Sequence, residues 1–287
     1  ADVNAQGGRF GNVLQAAAYQ GNLDIVKFLV ENKADVNAQE GRFGNALQAA
    51  AYQGNLDIVK FLVENKADVN AQGGRFGNAL QTAAYQGNMD IAKLLVENKA
   101  DVNAQGGQFG NAMQTAAYQG NLDIVKFLVG NKADVNAQGG QFGNALQTAV
   151  YWGYLDIAKF LSENKADVNA QGGELGNALQ AAAYQGNLES VKFLVGNKAD
   201  VNAQGGQFGN ALQAAAYQGN LDIVKFLVEN KADGNLESVK LLVENKADVN
   251  AQGGSWGNAL EAAIMGGHLD IVKLFVEEKD VDINALQ

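Results

Sequence analysis

The sequence predicts an all-α solenoid, a stack of short helix pairs joined by glycine-rich loops. Three observations predict it. Close variants of one phrase, "QGGRFGNALQTAA" at 72–84, begin at Gln6, Gln39, Gln72, Gln105, Gln138, Gln171, Gln204 and Gln252. The spacing is 33 residues through the first seven copies, and a fixed period of this size marks a repeat architecture. Each copy also holds two short apolar segments, and one such pair cannot bury its own face without neighbours.

Residues 1–33, "ADVNAQGGRFGNVLQAAAYQGNLDIVKFLVENK", serve as the repeating unit. The first part, "ADVNAQGGRFG", is polar and glycine-rich with no helical period, so it reads as a projecting hairpin-like turn. Phe10 recurs as Phe43, Phe76, Phe109, Phe142, Leu175, Phe208 and Trp256. An apolar residue at that fixed place is expected to anchor the loop against its neighbour. The second part, "NVLQAAAYQ", is a short helix. Asn12 is its expected N-cap, with Gln15 three residues later as in a capping box. Its alanines admit a close neighbour, and Gly21 ends it through a left-handed backbone. The third part, "NLDIVKFLVENK", is a second helix. Asn22 is expected to cap it, and Asp24 lies in the first turn, where the helix dipole favours an acid. Leu23, Ile25, Val26, Leu29 and Val30 are expected to form the buried stripe. Lys33 falls where glycine would close the helix, and Asn32 is expected to take the left-handed conformation in its stead.

Composition narrows the function. Hydrophobic residues make up 47% of the 287, cysteine is absent, and the net charge is −10. The acidic balance argues against nucleic acid and anionic membrane as partners. No apolar run approaches the roughly 18 residues of a membrane span, and no charged-then-apolar leader opens the sequence. The lack of cysteine fits a cytoplasmic protein.

Carried by "GNLDIVKFLVENKADVNA", the unit resembles the ankyrin repeat, whose pattern reads roughly G-x-T-P-L-H-x-A-A-x-x-G-H-x-E-I-V-x-L-L-L-x-x-G-A-D-V-N-A. The resemblance covers nearly the whole chain. It implies a curved solenoid with hairpin-like loops, no cofactor and a protein partner. The family's T-P-L-H becomes "NVLQ" at 12–15, "NALQ" in most copies, "NAMQ" at 111–114 and "NALE" at 258–261. Asn capping with Gln is expected to replace the Thr–His bonding. Gly267 and His268 alone keep the family's Gly-His. The variant "GGxFGNALQAAAYxG" with "ADVNAQGG" resembles ankyrin arrays of filamentous fungi, many of which form the sensor part of NACHT-type, NLR-like proteins. That likeness implies a fragment or a stand-alone relative, because no nucleotide-binding domain accompanies the array.

The expected organisation is seven full repeats over 1–231, a truncated repeat over 232–246 and a C-terminal repeat with partial cap over 247–287. After Asp233 the sequence jumps to "GNLESVKLLVENK", lacking a loop and first helix. A kink, a non-repeat packing or a continuation of the preceding helix is expected there. The first repeat is as apolar as the middle ones, so its front reads as uncapped, through truncation or self-stacking. The last repeat carries extra acid at Glu277, Glu278, Asp280 and Asp282 and reads as a better cap.

Four features bear on chemistry. The loop lacks the lysine and Ser or Thr of a phosphate-binding loop. "DVNAQG" resembles half a calcium loop, yet Val13 or alanine stands where calcium needs a bidentate glutamate. His268 is the sole histidine, so no histidine metal site is expected. Ser162, Ser190, Ser238 and Ser255 have no nucleophile motif around them. No enzyme activity and no metal are expected.

Three features remain as partner-binding candidates on the concave face and loop tips. Tyr19, Tyr52, Tyr85, Tyr118, Tyr151, Tyr184 and Tyr217 form a column that is either a binding surface or a ladder stacking repeat on repeat. Position nine of each loop runs Arg9, Arg42, Arg75, Gln108, Gln141, Glu174, Gln207 and Ser255. This column grades from basic to neutral to acidic while most others hardly change, either as a selectivity-tuning surface would or through drift at a solvated loop tip. Trp152 and Tyr154, beside Tyr151, replace Gln and Asn, and aromatic clusters of this kind tend to be interface hot spots. The leading expectation is a protein-interaction scaffold, the recognition array of a larger fungal NLR-like protein. The rival is a structural protein whose uncapped repeats stack end to end into filaments.

Overall fold

A computed structural model describes residues 2–229 and 247–277. Sixteen helices lie among them, with no strand among the described residues. The chain divides into two compact units, Ala1–Gln141 and Phe142–Gln287.

The first unit holds four helix pairs: Val13–Gln20 with Leu23–Glu31, Ala46–Gln53 with Leu56–Glu64, Ala79–Gln86 with Met89–Glu97, and Ala112–Tyr118 with Leu122–Gly130. The second holds four more: Ala145–Tyr151 with Leu155–Glu163, Ala178–Gln185 with Leu188–Gly196, Ala211–Gln218 with Leu221–Glu229, and Ala259–Gly266 with Leu269–Glu277. Within each unit the first helices pack closely on one another and the second helices line the outside. Alanine makes that approach possible: Ala49, Ala50 and Ala51 are each 0% exposed.

The starts of the first helices follow the sequence, except that at Asn45 only the bond from the Gln48 N–H forms. Asn78 Oδ1 accepts from the Gln81 N–H at 2.9 Å, and Gln81 Oε1 accepts from the Asn78 N–H at 2.6 Å. The same reciprocal box closes around Asn12 and Gln15. Gly21, at φ 78°, ends the helix. Its N–H donates to the Ala18 carbonyl and the Asn22 N–H to the Ala17 carbonyl, the two bonds of a Schellman motif.

The second helices correct three expectations. Asn22 and its equivalents make no capping bond. The Asn55 amide donates to the Ala18 carbonyl of the preceding repeat at 3.2 Å, and Asn88 does the same to Ala51 at 3.1 Å. Asn32 stays right-handed at φ −92°, its amide bonded to the Phe28 carbonyl at 2.8 Å. Lys33 takes the left-handed place, at φ 67°. The Ala34 N–H donates to the Leu29 carbonyl at 2.9 Å and the Lys33 N–H to Val30 at 3.0 Å. That bond pair requires the left-handed residue one step past Asn32, whatever its identity. The buried stripe is also narrower than expected. Ile58, Val59 and Leu62 are buried, but Leu56 is 37% exposed and Val63 half-buried.

The loops are closed by isolated bridges, Glu40 to Gly44, Gly73 to Gly77 and Gly106 to Gly110 in the first unit, Gly172 to Gly176 and Gly205 to Gly209 in the second. Successive loops touch so closely that a side chain at Gly74 would meet the Phe43 carbonyl carbon at 2.5 Å, and its φ of +62° already favours glycine.

Polar columns join one repeat to the next. Gln15 Nε2 donates to the carbonyls of Ala38, Glu40 and Gly44 at 3.1, 3.1 and 2.9 Å. Two hydrogens serve three oxygens, so one is shared. Asn4 receives the Asp35 N–H at 2.8 Å and donates to the Lys33 carbonyl at 3.2 Å.

The expected truncated repeat lies outside the described residues. On either side of it, the C-terminal repeat packs directly on the seventh and keeps the bonds of the glutamine and asparagine columns. Gln213 donates to Ala251 and Gly253, both at 3.2 Å, and to Gly257. The Asp248 N–H donates to Asn202 Oδ1 at 2.7 Å. That last bond spans 46 residues where its counterpart from Asp35 to Asn4 spans 31, a difference of 15.

Candidate interaction surface

Residue nine sits at the tip of each hairpin, and Arg9, Arg42, Arg75 and Gln108 are all exposed. The tips are paired backbone to backbone. The Arg42 N–H donates to the Arg9 carbonyl at 3.4 Å, Arg75 to Arg42 at 3.4 Å, and Gln108 to Arg75 at 3.0 Å. In the second unit Gln207 donates to Glu174, and Ser255 to Gln207, each at 3.0 Å. The tip side chains therefore project from a fixed rail.

Each arginine folds over the ring that follows it. The guanidinium carbons lie 5.9, 5.7 and 5.6 Å from the centroids of Phe10, Phe43 and Phe76, within cation–π range. Arg75 Nε also donates to Gln108 Oε1 at 2.9 Å. None of the three pairs with a carboxylate among the described residues. The sequence reading missed this stacking, although the dipeptide Arg-Phe at 9–10, 42–43 and 75–76 was its legible signal.

The tyrosines are half-buried and interleave with the loop phenylalanines. Tyr19 lies between Phe10 and Phe43, with centroids at 4.8 and 5.0 Å. Tyr52 lies between Phe43 and Phe76 at 4.9 and 5.5 Å, and Tyr85 between Phe76 and Phe109 at 4.5 and 5.6 Å. Tyr118 meets Phe109 at 4.4 Å. In the second unit Tyr184, Phe208, Tyr217 and Trp256 continue the pattern, while Leu175 supplies no ring at its rung. The side chains thus knit loop to helix and repeat to repeat.

The aromatic group of the fifth repeat is only partly assembled. Trp152, 41% exposed, stands edge-on to Tyr151 at 5.2 Å and to Phe142 at 6.4 Å. Tyr154, 36% exposed, makes no ring contact among the described residues. Both stand where other repeats carry an amide.

His268 stands in the column of Asn55 and Asn88 but bonds one residue further along. Its Nε2 lies 2.9 Å from the Tyr217 carbonyl. No group of three His, Cys, Asp or Glu residues is placed to hold a metal among the described residues, and none of the described helices is long and apolar enough to cross a membrane.

The model of the family described as ankyrin repeats (3 copies) matches residues 1–73, 80–172 and 179–287. A search of curated proteins finds no match. Among solved structures, the crystal structure of the human ASB11 ankyrin repeat domain is similar, with a TM-score of 0.63 and 24% identity. The match covers 83% of this chain and 99% of that one, and at this identity it speaks for the fold alone. The family match, spanning nearly all repeats, together with the helix pairs, hairpin loops and polar junctions, makes this chain a member of the ankyrin-repeat family.

Proposed function

We propose that the chain is a non-enzymatic recognition array that engages a protein partner through its hairpin tips and the adjoining edge of the aromatic ladder. One observation carries this reading. Position nine changes from Arg to Gln to Glu on a rail of hydrogen-bonded tips, whereas the inward-facing polar columns repeat because neighbours need them. Substitution at a solvated tip costs the fold little, so charge there is free to follow a partner. Trp152, exposed beside Tyr151, adds an anchor of the kind that dominates interface energetics. A cytoplasmic setting and a place in a larger fungal NLR-like protein remain part of the proposal, resting on the sequence resemblance.

The test is selection of binders from an unbiased displayed library, followed by retesting on variants. Binding is expected to fall when Arg9, Arg42 and Arg75 become Gln or Trp152 becomes Ala. It is expected to persist when the outer-helix residues Lys60 and Lys93 become Gln. Binders that ignore the tips and require the outer helices would overturn the reading, as would a library that yields none.

End-to-end stacking has one observation in its favour. Ile25 is 49% exposed, while its equivalent Ile58 is 2% exposed, and Val13 and Phe28 are exposed beside it. A second observation weighs against it. Stacking forward of the last repeat would use the position of Gln15, and there the chain carries Glu261. Glu261 keeps the capping box, accepting from the Asn258 N–H at 3.3 Å, but a carboxylate has no N–H to give the three carbonyls of a following loop.

A further inference from the structure

The three arginines form a row with a definite pitch. Three pairs of same-type rings in successive repeats lie 6.4 Å apart: Tyr19 to Tyr52, Tyr85 to Tyr118 and Phe76 to Phe109. The Arg75 guanidinium rides on Phe76, one of these rings, and the three arginine backbones are bonded tip to tip, which sets a comparable pitch for the row. An extended polypeptide advances roughly 6.4–6.8 Å every two residues, and alternate side chains share one face. The two periods coincide.

Charge gives the second argument. These are all the arginines of a chain whose net charge is −10. They are adjacent like charges, exposed, and unpaired with any carboxylate among the described residues. Glu40, the acid in the loop of Arg42, is half-buried and pairs with none of them. Folding over phenylalanine holds each guanidinium in place and leaves its planar donor fork for a carboxylate. Beyond Arg75 the row ends in a neutral amide, Gln108, already held by Arg75.

We infer that the tips of Arg9, Arg42 and Arg75 bind an extended acidic segment of a partner protein whose carboxylates occupy alternate positions, one per repeat. The inference rests on the recognition-array reading and names its ligand chemistry. Three exposed pairs, each contributing modestly, amount to about tenfold in affinity over a peptide of the same composition in the wrong register. Binding is expected to weaken as salt is raised, because the pairs are exposed.

The experiment measures fluorescence anisotropy of two labelled ten-residue peptides with the full chain. One alternates Asp with Thr; the other has the same composition as a block of Asp followed by a block of Thr. A labelled oligothymidine of equal charge is the third probe. Tighter binding of the alternating peptide, lost by about tenfold in the triple variant Arg9→Gln, Arg42→Gln, Arg75→Gln, is the expected result. Glutamine is native at Gln108, Gln141 and Gln207, so this variant is expected to fold, and circular dichroism checks that it does. Equal binding of both peptides, no binding of either, or indifference to the triple variant would overturn the inference. Preference for the oligonucleotide would overturn it in favour of a phosphate backbone. If library-selected binders still depend on the tips while the acidic peptide fails, the recognition array stands and only its acidic ligand falls.

Discussion

Gln81 combines two roles that sequence reasoning could only half see. Its Oε1 completes the capping box with Asn78, a local pattern readable from four residues. Its Nε2 donates to Ala104, Gly106 and Gly110 of the next loop, 23 to 29 residues away. Nothing in the local sequence announces that second set. Gln81→Glu keeps the box and sets a carboxylate against three carbonyls. A loss of about 1–3 kcal/mol is expected, the cost of leaving buried polar groups unpaired, read as a lower urea midpoint. Lys66 gives the opposite sign. It is one of six lysines held at φ of about +67°, its own being 68°, a conformation that costs a side-chain-bearing residue roughly 1–2 kcal/mol. Lys66→Gly is expected to stabilise the fold by about 1 kcal/mol or slightly less, after glycine's greater freedom in the unfolded chain is counted. Asn32 looked the better candidate for that conformation on propensity. The Schellman bonds decide the place, and they fall on lysine.

At the scale of elements, the helices were legible because their caps and periods are local. The burial pattern was less so. Leu56 and Val63 look as apolar as Ile58 on paper, but the face each presents depends on a neighbouring repeat. The ladder of loop phenylalanines and tyrosines shows the same limit: the columns were visible in the sequence, their interleaving was not. Phe76→Leu, a change the chain itself makes at Leu175, is expected to cost about 1 kcal/mol by removing aromatic pairs on both sides of one rung. The junction between the seventh and last repeats offers a further test. Its Gln213 and Asp248 bonds run as at the junctions within the first unit, with 15 residues added between partners. Deleting 232–246 joins Lys231 to Ala247 and restores the 33-residue register. The deleted chain is expected to keep its helical signal per residue and to unfold within about 1 kcal/mol of the parent, since the described junction bonds all form between residues outside 232–246 and chain length between bonded partners changes closure entropy slowly. A large loss of helix content or stability would mean that the segment is part of the packed core.

For the whole molecule, the 33-residue period was enough to give the fold class, because a repeat array has no core beyond its junctions, and the resemblance carried by "GNLDIVKFLVENKADVNA" gave the family. The interaction surface was legible only as a column that varies. Its pitch, its rail of paired tips and the rings beneath the arginines needed coordinates. The central claim is that this surface serves another protein, while the junction chemistry keeps copies of the chain apart. Glu261 is where that claim is most exposed. The measurement that tests it most directly is the mass of residues 1–287 by sedimentation equilibrium over a wide concentration range, beside Glu261→Gln. A single species near 30.2 kDa is expected throughout for the parent chain, with association confined to the variant. A mass that climbs with concentration without a plateau in the parent chain would contradict it and make end-to-end assembly the function.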